Sequence, residues 1–576
     1  MYILGISADY HDSSAALLLD GQLVAAAAEE RFSRRKHDPA LPSQAIDWCL
    51  EHAGIQAADL EYIVFYEKPL LKFDRILATS LDYYPRSYAF FREAALTWFS
   101  EKLWIKSRMV RALGVPANRI LFCEHHLSHA ASAFYCSGFS DAAILTVDGI
   151  GEWATATMGE GRGAEIRLPL EIRWPHSLGM LYSVFTAFLG FEVNEGEYKV
   201  MGMAPYGSPR YVDKVWKLVR VSEDGAIRLD LDYFSYHHTP ERAFSSRFLT
   251  LFGQPRAADA PIESEYYADV AASLQLVTEE ILLRMARAAC ARSGLKNLVM
   301  AGGVALNAVA NGRIQDEPGI DQLYVQPSAG DGGGALGAAL WAWHMVLGRP
   351  RGFQMRHASW GRNVSVDETR AALARVGLPA VCLKSEDELL DRAVEDLLDG
   401  RVLGWSQGRF EWGPRALGHR SILADPRRKD ARDVVNSKIK FRELFRPFAP
   451  SLPVEAAGRY FAPQLASQST PRFMLRTARV RDEMRERIPA VTHVDGTARP
   501  QLVEQAVNPL YYELIRRFGE ASGHPVLLNT SFNLRGEPIV ASAADAISTF
   551  QRSGLDVLYL GNYRVTKQGI SILDRP

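Results

Sequence analysis

Cysteine is scarce. The 576 residues hold five cysteines (Cys49, Cys123, Cys136, Cys290 and Cys382), scattered, odd in number and without a Cys-x-x-Cys pair. That excludes a disulfide framework and a zinc ribbon, and it fits a reducing, cytoplasmic setting. An excess of charge of one sign is also lacking: 66 Lys and Arg stand against 67 Asp and Glu. No whole-protein field that gathers nucleic acid or anionic membrane is expected, although a local basic pocket is still allowed. No apolar run approaches the roughly 20 residues that cross a bilayer. The N-terminus opens as a strand with no basic leader before an apolar block, so no secretory signal is expected. What is present is ordinary for a globular protein, 47% hydrophobic and 23% charged residues, in a chain long enough for two to four domains.

Short apolar runs alternate with Gly-rich turns over the first 350 residues. Residues 2–7 read as a strand, followed by a polar turn over 9–14. Two further runs, 15–19 and 23–28, are joined by Asp20-Gly21 and predict a β-hairpin. The design returns at 142–158 around Asp148-Gly149-Ile150-Gly151, which makes the first domain an internal repeat. Val270, Leu274, Val277, Ile281 and Met285 recur at helical spacing, and Gly294 follows as a cap. Residues 297–300 predict a strand, Gly302-Gly303 a tight turn, and Val304 onward a helix. A strand over 323–326 leads into Ala329-Gly330-Asp331-Gly332-Gly333-Gly334, read as a turn, and a helix over 335–345. Weak periodicity and a Pro, Gly and Arg mixture at 348–361 mark a boundary. The reading is a first domain over 1–350, a linker over 351–365 and a second domain over 366–576, with a helix from about Val366 and strands at 402–405, 526–528 and 558–560.

His125 and His129 are four apart. On a helix both imidazoles share a face and can share a metal ion. The same spacing also suits capping or core histidines, so the surroundings decide. His126 is adjacent, Asp148 ends a strand and Asp331 sits in a Gly-rich stretch. Two histidines with one or two carboxylates and open positions suit iron, zinc or manganese as a Lewis acid. The hairpin tips at 9–14 and 148–152 offer backbone N–H groups to phosphate oxygens, and Gly302-Gly303 precedes a helix N-terminus carrying Asn307 and Asn311. Each Gly cluster alone is an ordinary turn; in this order they fit a duplicated actin-like ATPase fold. In the second domain Lys440, Arg442, Arg446 and Arg499 are cations in turn-like sequence, and Asn529, Ser531 and Asn533 follow a strand end. Arg can grip phosphate oxygens bidentately. The turn at Glu411-Trp412-Gly413-Pro414-Arg415 adds Arg415 and Arg420, while Trp405 and Trp412 read as packing. Glu197 and Lys199 suit either a nucleotide contact or a plain surface pair.

Together these motifs resemble the O-carbamoyltransferases of the NodU/TobZ type, which decorate antibiotics, Nod factors and saxitoxin-type toxins. The resemblance runs through His11-Asp12-Ser13-Ser14-Ala15-Ala16, Glu29-Glu30-Arg31-Phe32, residues 125–133, Val147-Asp148-Gly149, Lys199-Val200-Met201-Gly202-Met203-Ala204-Pro205 and Gly302-Gly303-Val304-Ala305-Leu306-Asn307. It continues in Gly413-Pro414-Arg415-Ala416-Leu417-Gly418-His419-Arg420-Ser421, Phe445-Arg446-Pro447-Phe448-Ala449-Pro450, Thr492-His493-Val494-Asp495 and Asn529-Thr530-Ser531-Phe532-Asn533.

The resemblance implies an α/β chain. Its first domain is a duplicated actin-like (ASKHA) ATPase domain similar to the tRNA threonylcarbamoyltransferase, and its second is a YrdC-like domain. The second domain turns carbamoyl phosphate and ATP, with Mg, into carbamoyladenylate. The first transfers the carbamoyl group to a hydroxyl of a small molecule in natural-product biosynthesis. By motif match His125, His129, Asp148 and Asp331 hold Fe(II), or alternatively Zn or Mn. His11 is the base with Asp12 beside it, and Lys36 is a further active-site cation. Gly149, Glu197, Lys199, Gly302, Gly303, Asn307 and Gly330 meet the nucleotide in the first domain. Arg415, Lys440, Arg442, Arg446, Arg499, Asn529, Ser531 and Asn533 meet carbamoyl phosphate and ATP in the second. The implied partners are the hydroxylated acceptor, carbamoyl phosphate and ATP, with no nucleic acid and no membrane; a homodimer is compatible. Residues 66–113, rich in aromatics, Lys and Arg, are a candidate acceptor cleft. Within them Tyr66-Glu67-Lys68-Pro69-Leu70-Leu71-Lys72-Phe73 looks closer to the toxin-pathway members than to the aminoglycoside ones.

Three rivals stay open at this level. A tRNA threonylcarbamoyl enzyme shares the domain pair, but the neutral net charge offers no tRNA footprint. A hydrogenase-maturation protein using carbamoyl phosphate carries Cys-rich zinc modules, which this chain lacks. A non-catalytic nucleotide-dependent scaffold leaves the His pair and the second domain without a role.

Overall fold

A computed structural model describes residues 1–239, 241–258, 260 and 265–567. The fold is mixed α/β. Two compact units divide the chain: residues 1–26 with 39–355, and residues 27–38 with 356 onward. The later division falls at Met355/Arg356, inside the stretch of weak periodicity.

The first unit contains the same five-stranded sheet twice. In one copy β1 (Tyr2–Ser7), β2 (Ser14–Leu19), β3 (Gln22–Ala28), β4 (Leu60–Phe65) and β5 (Ile120–Phe122) run in the order β3-β2-β1-β4-β5. β1 is antiparallel to β2 and parallel to β4, which is parallel to β5. The other copy consists of β6 (Asp141–Val147), β7 (Ala154–Arg162), β8 (Glu165–Arg173), β9 (Asn297–Ala301) and β10 (Gln322–Val325), in the order β10-β9-β6-β7-β8. Here β6 is antiparallel to β7, β7 to β8, and β6 is parallel to β9 as β9 is to β10. Read from its opposite edge, the second sheet repeats the first. The repeat therefore equates the β1–β2 tip with the β6–β7 tip, one strand earlier than the Asp20-Gly21 hairpin. The central strands β1 and β6 are buried along almost their whole length, which is why they read as continuous apolar runs.

Four helices of the first unit frame the convergence of these tips: α1 (His125–Ser137), α2 (Leu178–Phe188), α3 (Glu265–Ser293) and α4 (Asp331–Trp341). α4 begins at Asp331, so Gly332, Gly333 and Gly334 lie in its first turn and not in the predicted loop. Glycine costs a helix interior about 1 kcal/mol relative to alanine, but contact overrides that preference here. A Cβ on Gly333 would come within 2.0 Å of the Ser328 carbonyl oxygen, and one on Gly337 within 1.8 Å of the Ser128 carbonyl oxygen. The helix expected from Val304 also starts later. Gly303–Leu306 is a 3-10 turn, and the α-helix is Ala308–Gln315, whose first turn is capped by the Asn307 side chain accepting from Ala310 N–H at 3.1 Å.

The second unit is built on one mixed eight-stranded sheet. Its strands are β11 (Ala380–Cys382), β12 (Leu403–Ser406), β13 (Arg420–Ala424), β14 (Ala449–Pro453), β15 (Gln501–Val503), β16 (Leu527–Ser531), β17 (Val557–Leu560) and β18 (Tyr563–Thr566), in the order β11-β18-β17-β12-β13-β16-β14-β15. Period-two alternation sends neighbouring residues to opposite faces. Ile422 and Leu558 join one core with α5 (Val366–Val376) and α8 (Ala543–Arg552). Leu403, Trp405, Leu423 and Tyr559 join the other with α6 (Glu386–Leu398) and α7 (Pro509–Ser522). Residues 27–38 pack into this unit: Arg34 donates to the Pro538 and Ile539 carbonyls at 2.8 and 2.7 Å, and Arg31 to the Gly413 carbonyl at 2.8 Å. Among the described residues no helix is long and apolar enough to cross a membrane.

Candidate active site

Four side chains converge where the two sheets of the first unit present their equivalent tips. His125 opens α1, His129 lies one turn on, Asp148 follows β6 and Asp331 opens α4. The Nε2 atoms of the two histidines are 3.0 Å apart, and Asp148 Oδ2 lies 2.9 Å from His125 Nε2 and 3.2 Å from His129 Nε2. Asp331 Oδ1 stands 3.7 and 3.6 Å from the same nitrogens. One ligand atom from each of the four falls within 4.8 Å of the others, and all four residues are buried.

This donor set fits a metal ion. Two imidazole nitrogens facing each other at 3.0 Å share one proton at most, and Asp331 Oδ2 is buried with no hydrogen-bond partner among the described residues. Buried polar atoms are almost always satisfied, so the cluster is built around something that accepts four donors at once. Two imidazoles with two carboxylates suit iron, zinc or manganese, and the ligand types do not choose among these.

The surrounding residues orient the four. Asp148 Oδ1 accepts from the Gly303 N–H at 3.0 Å, leaving Oδ2 for the histidines. That approach needs Gly302 bare: it has φ +94°, and a Cβ there would lie 2.2 Å from the Val147 carbonyl oxygen. Glu152 accepts from the backbone N–H of His125 and of Lys68 at 2.9 and 2.8 Å, tying α1 to the stretch after β4. Burial alone would raise the Asp148 carboxyl, but hydrogen bonds from His125 and His129 hold it well below the usual range. His126 takes no part. Its nitrogens bond Thr146 Oγ1 and the Ala154 carbonyl at 2.7 and 2.9 Å, and burial pushes its pKa down to about 3.

The β1–β2 tip supplies His11 and Asp12. His11 Nδ1 is 2.9 Å from Asp12 Oδ2, and its Nε2 is 3.9 Å from Asp331 Oδ2. Burial works against its charged form, yet the Asp331 charge, the Asp12 hydrogen bond and Asp148 raise His11 to about 9. The stretch after β4 holds both tips. Arg75 donates to the Gly151 carbonyl at 2.6 Å, and Arg108 grips both oxygens of Asp9 at 2.9 Å.

The residues expected at the nucleotide are more dispersed. Gly149, Gly302, Gly303 and Gly330 lie around Asp148 and Asp331, with the Gly149 carbonyl accepting from Ser177 at 2.7 Å. Asn307 caps its helix and bonds Gln275 of α3 at 3.1 Å. Glu197 accepts from Ser183 of α2 and the Asn194 N–H at 2.8 and 3.1 Å, while Lys199 lies 5.7 Å over the Phe191 ring. Lys36 is in the 27–38 segment of the second unit, where its charge acts on Lys440.

In the second unit six cations share one field. Arg499 is half-buried, and desolvation with the charges of Arg415, Arg442 and Arg446 pushes its pKa well below the ordinary value. Burial, Arg442, Arg446 and Lys36 do the same to Lys440. Lys440 Nζ is held by the Ser531 carbonyl (2.7 Å) and hydroxyl (3.2 Å) and by the Asn533 carbonyl (2.9 Å) and side chain (2.6 Å). Arg442 bonds Asn436 at 2.7 Å, and Arg446 pairs with Glu443 at 3.5 Å. Asn529 is committed inside, bonding Ala416, Ser451 and Gln501 at 3.2, 3.1 and 2.8 Å. Arg420 is fully buried and donates to the Gln407 and His419 carbonyls at 2.9 and 3.0 Å. Trp405 and Trp412 are core residues.

Glu67, Lys72, Glu152 and Gly337 support the site without a local sequence pattern that marks them. The faint signal for the first two is an acid and a base five apart after a buried strand.

Residues 2–340 match the family description Carbamoyltransferase N-terminus, and residues 394–567 match Carbamoyltransferase C-terminus. The uncharacterized protein sll1178 of Synechocystis sp. is 45% identical over 98% of this chain and 97% of its own. Nodulation protein NolNO of Sinorhizobium fredii is 37% identical over 97% of this chain and 80% of its own. The 3'-hydroxymethylcephem-O-carbamoyltransferase of Streptomyces clavuligerus is 36% identical over 43% of this chain and 45% of its own. The chain belongs to the carbamoyltransferase family, and it is a transferase enzyme of carbamoyl groups.

Proposed function

We propose that this protein is an ATP-dependent O-carbamoyltransferase that joins carbamate to AMP in its second unit, read as YrdC-like, and delivers the carbamoyl group to a small hydroxylated molecule in its first, read as actin-like. The observation that carries the reading is the convergence of His125, His129, Asp148 and Asp331 with His11 beside them, in a chain that also holds a partly buried cation cluster.

Carbamate is a poor acyl donor because its leaving group is oxide. Water cleaves carbamoyl phosphate to carbamate and inorganic phosphate; a carbamate oxygen then attacks the α-phosphorus of ATP and pyrophosphate leaves. Arg415, Lys440, Arg442, Arg446 and Arg499 supply the positive field that gathers these anions. In the first unit the acceptor oxygen bonds to the carbamoyl carbon, the bond to AMP breaks, and AMP departs with the electron pair. His11 Nε2 takes the hydroxyl proton while Asp12 holds Nδ1. A divalent ion held by His125, His129, Asp148 and Asp331 would supply Lewis acidity toward the carbamoyl carbonyl. Engaging those carboxylate charges would remove two of the causes that raise His11 and would bring it back toward the range in which it accepts a proton near neutral pH.

For the acceptor, a cavity of about 960 Å³ is lined by Tyr83, Arg86, Phe234, His237, His238 and Arg242, with the Tyr83 and His237 rings packed 4.4 Å apart in its wall. Its size suits a small molecule. Arg75 ties it to the centre by bonding Gly151 and lying 5.4 Å over the Trp174 ring, which itself sits 5.4 Å from Tyr236. The testing experiment incubates the protein with ATP, carbamoyl phosphate and a panel of hydroxylated molecules. A product heavier by one carbamoyl group, formed with AMP and pyrophosphate, supports the reading. The absence of carbamoyl-phosphate-dependent AMP release sinks it.

A further inference from the structure

Beside the four ligands lies a buried ion pair that the transfer chemistry does not use. Glu67 follows β4 and Lys72 lies in the helix Pro69–Asp82; they are 3% and 7% exposed, with Nζ 2.7 Å from Oε2. Taking two charges out of water costs several kcal/mol, and a packed apolar pair of similar volume is often as stable or more so. Stability therefore does not account for the pair, whereas the atom it faces does. Glu67 Oε2 also stands 3.7 Å from His125 Nδ1, and that nitrogen is buried with no hydrogen-bond partner among the described residues. An imidazole that lends its Nε2 lone pair to a metal carries its proton on Nδ1, and such ligands are almost always oriented by an acceptor at that position.

We propose that Glu67 is a positioning residue for the metal ligand His125, accepting its Nδ1–H, and that Lys72 fixes Glu67 for this task. The proposal rests on the metal centre described above. Lys72 holds Glu67 Oε2 at 2.7 Å, which keeps the carboxylate facing His125 Nδ1. Lys72 also reaches the other side of the centre. Its Nζ lies 5.0 Å over the Tyr10 ring, and that ring packs 4.4 Å from His11. One short stretch after β4 thus braces both a ligand and the proton acceptor.

The test titrates the metal-stripped full chain with Co(II) and follows its visible absorption. It compares the native protein with Glu67→Gln and with the double variant Glu67→Leu/Lys72→Met, which leaves no orphaned charge. Both variants are expected to bind Co(II) more weakly, on the order of 10- to 100-fold, with an altered spectrum. The metal-free double variant is expected to unfold at or above the native temperature. Native affinity and spectrum in both variants overturn the proposal alone. A double variant that unfolds readily while Glu67→Gln binds normally makes the pair structural and overturns it too. A native chain that takes up no Co(II) overturns the metal centre and the proposal together.

Discussion

Gly337 of α4 meets Ser128 of α1 backbone to backbone, so closely that a Cβ on Gly337 would lie 1.8 Å from the Ser128 carbonyl oxygen. These are the helices that open with Asp331 and with His125. The close crossing is thus what brings a carboxylate from one chain segment to the histidines of another. Gly337→Ala cannot be absorbed by a side-chain rotation, because both partners are backbone. Overpacking of this kind typically costs about 1–3 kcal/mol. We expect a lower unfolding temperature and, beyond it, weakened metal binding at temperatures where the variant is still folded. Calorimetric unfolding and metal titration of the same preparation separate the two; native metal affinity in folded Gly337→Ala removes the crossing from the account of the site.

Replacing His125 or His129 by Ala is expected to abolish bound metal and carbamoyl transfer together. Each residue contributes an Nε2 to the same small volume, 3.0 Å from the other. Formation of carbamoyladenylate is expected to persist, since it is assigned to the other unit. Metal content by elemental analysis, read beside AMP and product formation, checks this. Native turnover by metal-stripped protein would remove the Lewis-acid role.

The parts legible in the sequence are those that local pattern controls. β1 and β6 are buried runs of apolar residues, and they read as strands for that reason. His125 and His129 declare themselves by spacing, because helical geometry alone puts residues four apart on one face. Asp331 is the harder case. Propensity reads Gly332-Gly333-Gly334 as a turn, and only the contacts with Ser328, Tyr66 and Ser128, invisible along the chain, make glycine the residue a helix needs there. The same holds for Arg31 and Arg34. Their bonds to Gly413, Pro538 and Ile539 span hundreds of residues, so nothing local announces that 27–38 belongs to the second unit. Glu67 and Lys72 carry an ordinary surface signature, and only burial turns them into something else.

The two units should be separable by single substitutions. Arg446→Ala removes one of the cations that act on both Lys440 and Arg499 and is expected to stop carbamoyl-phosphate-dependent pyrophosphate release. His11→Ala leaves that cluster intact. It is expected to form the adenylate at the native rate and to transfer it on the order of 10²- to 10⁴-fold more slowly, the usual loss of a general base. Pyrophosphate release and product formation, followed in parallel, give the split. An Arg446→Ala enzyme that makes the adenylate normally and fails only in transfer would reverse the assignment of the units.

The cavity whose wall holds Tyr83 and His237 makes a prediction about the acceptor. Arg86 and Arg242 both line it, and both are exposed, so replacing them by Ala disturbs no core. Neither touches the four metal donors, so their contribution should be equal in the ground and transition states. Interactions of that kind change KM and leave kcat alone. Arg86→Ala and Arg242→Ala are therefore each expected to raise the acceptor KM about tenfold, the kinetic image of about 1.4 kcal/mol of lost binding, with pyrophosphate release unchanged. The KM for ATP and for carbamoyl phosphate should not move, because those anions are assigned to the second unit. If both variants keep the native acceptor KM, the cavity does not hold the acceptor. If instead they raise the KM for ATP, the cavity serves the nucleotide, and the acceptor must be sought nearer His11, along the face of the β1–β2 tip.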